Sequence, residues 1–520
     1  MSSDHRSSRH RRYLSLVVFA TLLVAPLAWA VALAAAMVTI TLLRAIRATR
    51  SRRAGAQRPA DGVRLGVDPS GRPVWVGDRQ LAAHALIVGA SGAGKSTTLL
   101  GILCDQIRRG RPVVAIDMKG SPAFARELAQ AAAAAGRQLR VWSPDGPNHW
   151  NPLAHGNATA LKDKLIATER FTEPHYQRAA ERYVQTVLQV LHAAHPGRPA
   201  QLDEVVATME PRRLATMLRD VPRPLADRVQ DYLAGLTHDQ VSAVRGLGTR
   251  LALLSESSAG RYLVPGGGQA TGPTIDLQAG LEGGDVVLMS LNSSVYGKLA
   301  AQLGALAIQD LVSATGHRLD RSADPAGVAM QATVGIDEFS ALGADNVLAL
   351  LARGRESGVS VLLATQELAD LERAAPGFRD QVLGITAVKL AHRQDVPASA
   401  LTIAQMAGTE RVWEETLQMR GLLGGPGASR GSRRQVEQFL VHPNEIKTLP
   451  TGQLVMLTKT PIARTTRLRV SPPRHNSPQA GRHGSPQAGR NDPPRAGTSG
   501  VGTSGAGTSR GDQAAPGVTR

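Results

Sequence analysis

Residues 89–96, Gly-Ala-Ser-Gly-Ala-Gly-Lys-Ser, fit the spacing G-x-x-x-x-G-K-[ST] between an apolar run and an amphipathic one. The run Ala85 to Val88 reads as a buried strand. Thr97 to Arg109 carries Leu99, Leu100, Leu103 and Ile107 at helical spacing, so the glycines must join a strand directly to a helix. That junction limits the chain to α/β architectures with the loop at a helix N-terminus, where backbone N–H groups curl around phosphates. Gly89, Ala90, Ser91, Gly92, Ala93, Gly94, Lys95, Ser96 and Thr97 form the expected cradle for ATP. Lys95 is expected to reach the β and γ phosphates catalytically, and the Ser96 hydroxyl to ligate Mg²⁺.

The remaining strands decide between phosphate-handling chemistries. Val334 to Asp337 is an apolar strand ending in paired acids, Asp337-Glu338. Asp337 is placed to hold Mg²⁺ through water, and Glu338 to polarise the attacking water, which points to hydrolysis. The next strand, Val359 to Ala364, leads to Gln366, a candidate γ-phosphate sensor at the sheet edge where ligands gather. Arg353 and Arg355 fall just past a helix. Either is a candidate arginine finger for a neighbouring subunit, Arg355 ahead of Arg353, with a local ion pair as the other reading.

Chain organisation follows from periodicity. A hairpin is expected at Val63 to Gly77, turning at Pro69-Ser70-Gly71. Strands at Pro112 to Asp117 and Leu139 to Trp142 flank a helix around Ala123 to Ala135, which implies a parallel sheet. From about 155 to 280 helical spacing replaces the strand signal, as in Arg178 to His192 and Arg212 to Leu218. Strands resume at Asp285 to Leu291, before a helix Lys298 to Ser313, and one more is expected near Ile385 to Leu390. The expected organisation is a membrane anchor over 1–58, the first part of a P-loop ATPase domain over 59–153 and an all-α domain over 154–280. The second part of the ATPase domain covers 281–470. Residues 471–520, which repeat Ser-Pro-Gln-Ala-Gly-Arg at 477 and 485, have almost no large apolar side chains and form a disordered tail.

Charge must be located before it is interpreted. The net charge is +18, but residues 1–58 contribute +9 and residues 464–520 contribute +7, leaving +2 for the body. Any nucleic-acid contact in the body must therefore come from a few local basic groups. Tyr13 to Leu43 is 31 residues without a charge, flanked by arginines on both sides. As one helix it would reach about 46 Å against a hydrocarbon core of about 30 Å, so a tilted or Pro26-kinked span and a tight hairpin both fit. A cleaved signal peptide is disfavoured, because the apolar run continues past Ala30 and export would separate the nucleotide site from its ATP. The lone Cys104 excludes an internal disulfide and sits on a packed helix face.

In order and spacing, the chain resembles the conjugative type IV coupling proteins of the TraG/TraD group, within the FtsK/HerA class of DNA-pumping ATPases. The residues that carry this are His84 to Val88, Ile116-Asp117-Met118-Lys119-Gly120, Trp150-Asn151-Pro152-Leu153 and Gly284 to Leu288. Ile336 to Phe339, Gly354 to Val359, Ala364-Thr365-Gln366 and Leu449 to Gly452 complete the series. The resemblance implies a RecA-like parallel-sheet P-loop domain interrupted by an all-α domain, in a homo-hexameric ring on the cytoplasmic face of the cell membrane. It implies ATP hydrolysis coupled to passage of DNA, single-stranded and with its relaxase, toward membrane components of a type IV secretion apparatus. An FtsK-like double-stranded DNA translocase, a membrane ATPase exporting protein and a nucleotide-dependent scaffold are the alternatives.

Overall fold

A computed structural model describes residues 61–169, 171, 173–264, 272–322, 330–417 and 431–473, together with Met37 and Thr39. The expected membrane segment, apart from those two residues, and the expected tail from 474 onward lie outside the described residues. Among the described residues no helix is long and apolar enough to cross a membrane.

The chain opens with β1 (Gly62–Val67) and β2 (Pro73–Gly77), the expected hairpin, and then β3 (Ala85–Val88) runs through the glycine loop into α1 (Lys95–Arg108). β4 (Val113–Asp117), α2 (Pro122–Ala134) and β5 (Leu139–Trp142) follow, and then the short β6 (His149–Trp150). Between β6 and β7 (Thr274–Ile275) every described element is helical. The main ones are α3 (Ala158–Ile166), α4 (Pro174–Ala194), α5 (Arg223–Ala234) and α6 (His238–Ser255). β6 and β7 pair in parallel, so the entrance and exit of this helical stretch are joined to each other.

The alternating pattern then resumes with β8 (Val286–Ser290), α7 (Ser293–Ser322, broken at Gly297), β9 (Ala332–Asp337), α8 (Ala344–Glu356) and β10 (Val359–Thr365). After α9 (Phe378–Ile385) come β11 (Val388–Ala391), α10 (Pro397–Ala407), the ribbon β12 (Thr409–Leu417) and β13 (Gly431–Phe439), and finally β14 (Gln453–Thr458) and β15 (Arg464–Val470). The strand expected from Ile385 begins at Val388 instead, because Ile385 closes α9. Arg353 and Arg355 lie in the last turn of α8 and not past its end.

The main sheet has eleven strands in the order β2-β1-β15-β14-β11-β3-β10-β9-β4-β8-β5. The run from β11 to β5 is parallel, and β14, β15, β1 and β2 extend it antiparallel. Parallel strands covered on both faces require continuous apolar runs. Val113–Asp117 and Val359–Thr365 are buried at every position. On one face Ile87, Ala115 and Leu362 pack with Leu99, Ile102, Leu103 and Ile107 of α1. On the other, Leu86, Val114, Ile116, Val334 and Ile336 pack with α7 and α8. At Gly335 α1 packs close to the sheet: a Cβ there would stand 2.9 Å from the Leu103 methyls. Cys104 is buried on the same helix, and burial raises its thiol pKa to about 11, which makes it an inert packing residue.

A buried polar knot ties the helical stretch to the sheet. Lys164 of α3 lies 2.8 Å from Asp310 of α7 and also donates to the carbonyls of Pro152 and His155, while the Trp150 indole donates to the other Asp310 oxygen at 3.0 Å. Asn151 donates to the Ala200 carbonyl and accepts from Leu153 N–H. The Trp150-Asn151-Pro152-Leu153 series is thus the joint between the two halves.

Candidate nucleotide site

Six parallel strands end along one edge of the sheet, and each delivers a polar group there. β3 ends in the glycine loop, β10 in Gln366-Glu367, β9 in Asp337-Glu338, β4 in Asp117-Met118-Lys119, β8 in Asn292 and β11 in His392. The carboxyl ends of parallel strands form the crevice where α/β sheets bind ligands.

The loop itself is held from beneath. Gly89 N–H donates to the Gln366 carbonyl at 3.1 Å, Ala90 N–H to the Arg393 carbonyl at 2.7 Å, and Gly452 N–H to the Ala93 carbonyl at 2.9 Å. Gly92 and Gly94 have φ of 72° and 114°, which only glycine adopts freely. Gly94 stands at the N-terminus of α1, so the helix dipole and free N–H groups face the loop's interior. Gly89 has a different need: a Cβ would lie 2.5 Å from Cβ of His392.

Lys95 is buried and donates to the Ala90 carbonyl at 3.2 Å. Burial lowers its pKa, the Glu338 and Asp337 carboxylates oppose that, and Lys119 adds repulsion. Ser96 Oγ donates to Asp337 Oδ2 at 3.0 Å. Asp337 Oδ1 is buried without a hydrogen-bond partner, an arrangement that costs free energy unless a cation or a water fills it. Asp337 lies in register with Asp117 on the adjacent strand. Burial, and to a smaller degree Asp337, raise the pKa of Asp117 against the N–H groups of Ser121 and Lys119 that it accepts. Glu338 is half-buried with φ 59°, ψ 51°, a left-handed conformation rare for a side chain of this size.

The expected residues separate into two groups. Lys95, Ser96, Asp337 and Glu338 come together at the loop, and Gln366 meets it through its backbone. Arg355 does not: it is exposed on the last turn of α8, near His84 at the opposite edge of the sheet. Within one chain it cannot face Lys95.

Two groups, His392 and Glu367, escaped the sequence reading, and a third, Lys119, entered it only as part of the Ile116 to Gly120 run. His392 Nδ1–H donates to the Gln453 carbonyl at 3.0 Å while Nε2 accepts from Thr98 Oγ at 2.9 Å, so it wedges β14 against the first turn of α1. Glu367, whose pKa burial raises, accepts from Asp395 N–H and exerts an attraction on Lys95. Lys119 lies 2.8 Å from Glu338. For His392 and Glu367 the only hint in sequence was their place after short apolar runs, which many surface residues share.

A family profile described as the TraM recognition site of TraD and TraG matches residues 331–451, and one described as the FtsK/SpoIIIE family matches residues 43–120. Each profile matches a part of the chain, the second spanning the glycine loop and the first the paired acids, so both halves of the site lie in segments similar to these families. In this chain the first of those segments supplies Asp337, Glu338, Gln366 and His392, and the second supplies the glycine loop and Lys119. The bacterial conjugative coupling protein TrwBdeltaN70 is similar in fold, at 15% identity over 81% of this chain and 92% of that one, with a TM-score of 0.58. The plasmid coupling protein TrwB in complex with ADP and Mg²⁺ is similar at 15% identity over 81% and 92%, TM-score 0.55. VirB4 of Thermoanaerobacter pseudethanolicus follows at 14% identity over 80% and 97%, TM-score 0.51. No curated protein matches the sequence significantly.

Proposed function

We propose that this chain is a membrane-anchored ATPase that couples ATP hydrolysis to DNA transfer through a type IV secretion or conjugation apparatus. The observation that carries the hydrolytic part is the meeting of Ser96, Asp337 and Glu338 beside Lys95 at the mouth of the glycine loop. TrwB structures contain ADP and Mg²⁺, and the residues here fit both. The Ser96 hydroxyl and the partnerless Asp337 Oδ1 are the hard oxygen donors Mg²⁺ takes, and the loop N–H groups with Lys95 suit the phosphates. Bound there, the ion would neutralise charge on the phosphates. Lys95 holds the phosphate end, Ser96 and Asp337 hold the ion, and Glu338 accepts the proton of the attacking water. Gln366 stands at the γ-phosphate edge. Arg355 acts in trans, on the site of the next protomer of a homo-hexameric ring.

Support for a DNA partner lies in the helical stretch. Lys162, Arg178, Arg182 and Arg228 line a cleft of about 460 Å³ between α4 and α5, with the Arg182 guanidinium 4.2 Å over the Tyr232 ring. That is the local basic cluster a nearly neutral body requires. The anchor over 1–58, the cytoplasmic placement of the body, and the relaxase and secretion components as partners complete the proposal.

Lys95→Ala should abolish both ATP binding and turnover. Glu338→Gln should abolish turnover and still bind ATP, since only water activation is removed. Turnover near the parental rate in either variant refutes the site.

A further inference from the structure

Lys119 has no part in the chemistry described above, yet its ammonium is the cation nearest to the acid pair. Nζ lies 2.8 Å from Glu338 Oε1 and 3.4 Å from Asp337 Oδ2. Building on the ATPase reading, we propose that Lys119 is the positioning residue for Glu338, holding one carboxylate oxygen so that the other is presented to the attacking water.

Two features of the fold carry this. The first is that Glu338 cannot be steered by its own backbone alone. Its left-handed φ of 59° is sparsely populated for such a side chain, and three rotatable side-chain bonds leave the carboxylate free to swing unless something fixes it. The second is that the segment presenting Lys119 is fixed at every residue. The fully buried Asp117 carboxylate accepts Lys119 N–H at 2.9 Å and Ser121 N–H at 2.6 Å. The Met118 carbonyl accepts Ser293 N–H at 2.7 Å. Gly120, at φ 65°, packs so tightly on Asn292 that a Cβ would stand 2.7 Å from the Asn292 Cβ. An ammonium carried on a fixed backbone and paired at 2.8 Å with the general base is placed to hold that base in near-attack geometry. A lysine recruited merely to balance charge at the surface would not need such a mount.

The test compares wild type, Lys119→Met, Lys119→Arg and Glu338→Gln in steady-state hydrolysis, in Mg²⁺-dependent binding of a fluorescent non-hydrolysable ATP analogue, and in thermal unfolding. Methionine keeps the length and removes the charge. The proposal expects kcat to fall about 10- to 100-fold in Lys119→Met, with KM and analogue affinity within threefold and the melting temperature essentially unchanged. It expects Lys119→Arg to recover most of the rate. A Lys119→Met kcat within twofold of wild type overturns it. So does a loss of analogue affinity as large as the loss of kcat, which would make Lys119 a phosphate ligand, or a Lys119→Arg variant as slow as Lys119→Met. Failure of the underlying reading looks different: wild type would not hydrolyse ATP, or Glu338→Gln would keep its turnover.

Discussion

His392 shows how much of this site depends on single contacts. Its imidazole lies under Gly94 of the glycine loop, where a Cβ would stand 3.2 Å from Cε1, and its Cα and Cβ leave room only for glycine at position 89. Gly89→Ala should cost about 1–3 kcal/mol through overpacking and weaken nucleotide binding at least tenfold. Gly92→Ala, where no neighbour lies within 4 Å but φ is 72°, should cost only the left-handed penalty of about 1–2 kcal/mol. Nucleotide titration with thermal melts on both variants checks the order, and equal affinities would show that His392 does not constrain the loop. His392 and His84 also make stability pH-dependent. Burial pushes each imidazole down to about 4, against the opposing carbonyls of Gln453 and Leu351 respectively. The unfolded chain takes up these protons near pH 6.5 and the folded chain does not, so their contribution is full above pH 6.5 and is lost as pH falls toward 4. At about 1.4 kcal/mol per unit this is on the order of 3 kcal/mol for each histidine. The melting temperature should fall between pH 6.5 and 4.5, and the fall should shrink in the His84→Gln, His392→Gln double variant. A fall of the same size in both proteins would assign it to other groups.

At the scale of elements, the periodicity of apolar residues gave the parallel sheet nearly strand for strand, because buried parallel strands are continuous apolar runs and helices show a period of 3.6. The Lys95, Ser96, Asp337 and Glu338 cluster was legible too, since Asp337 and Glu338 close such a strand and Lys95 and Ser96 complete the G-x-x-x-x-G-K-[ST] spacing that opens α1. What remained hidden depends on pairings between distant parts of the chain. Antiparallel β14 and β15 carry exposed charges such as Arg464 and Arg467 and acquire their place only by adding to β11 and β1. His392 owes its role to Gln453, 61 positions away, and Lys119 owes its role to Glu338. No local spacing encodes such contacts. The joint between the helical stretch and the sheet is of the same kind, with Lys164 and Asp310 separated by 146 positions. Both side chains are buried, so Asp310→Ala would strand an ammonium in a low-dielectric interior at a cost of about 3–5 kcal/mol. Urea unfolding should show that loss. A change below about 1 kcal/mol would mean that the carbonyls of Pro152 and His155 suffice for Lys164.

At the scale of the whole molecule, the net charge of +18 says little about the engine, because most of it belongs to the two ends. The basic cleft between α4 and α5 provides the body with a local alternative. The central claim is a motor whose hydrolysis responds to DNA, and the most direct measurement is the ATPase rate of the purified protein with single-stranded DNA, with duplex DNA and without DNA. The account predicts a several-fold higher rate with single-stranded DNA than without, and a smaller rise with duplex. Equal rates in all three conditions would contradict it, and a larger stimulation by duplex would favour a double-stranded DNA translocase.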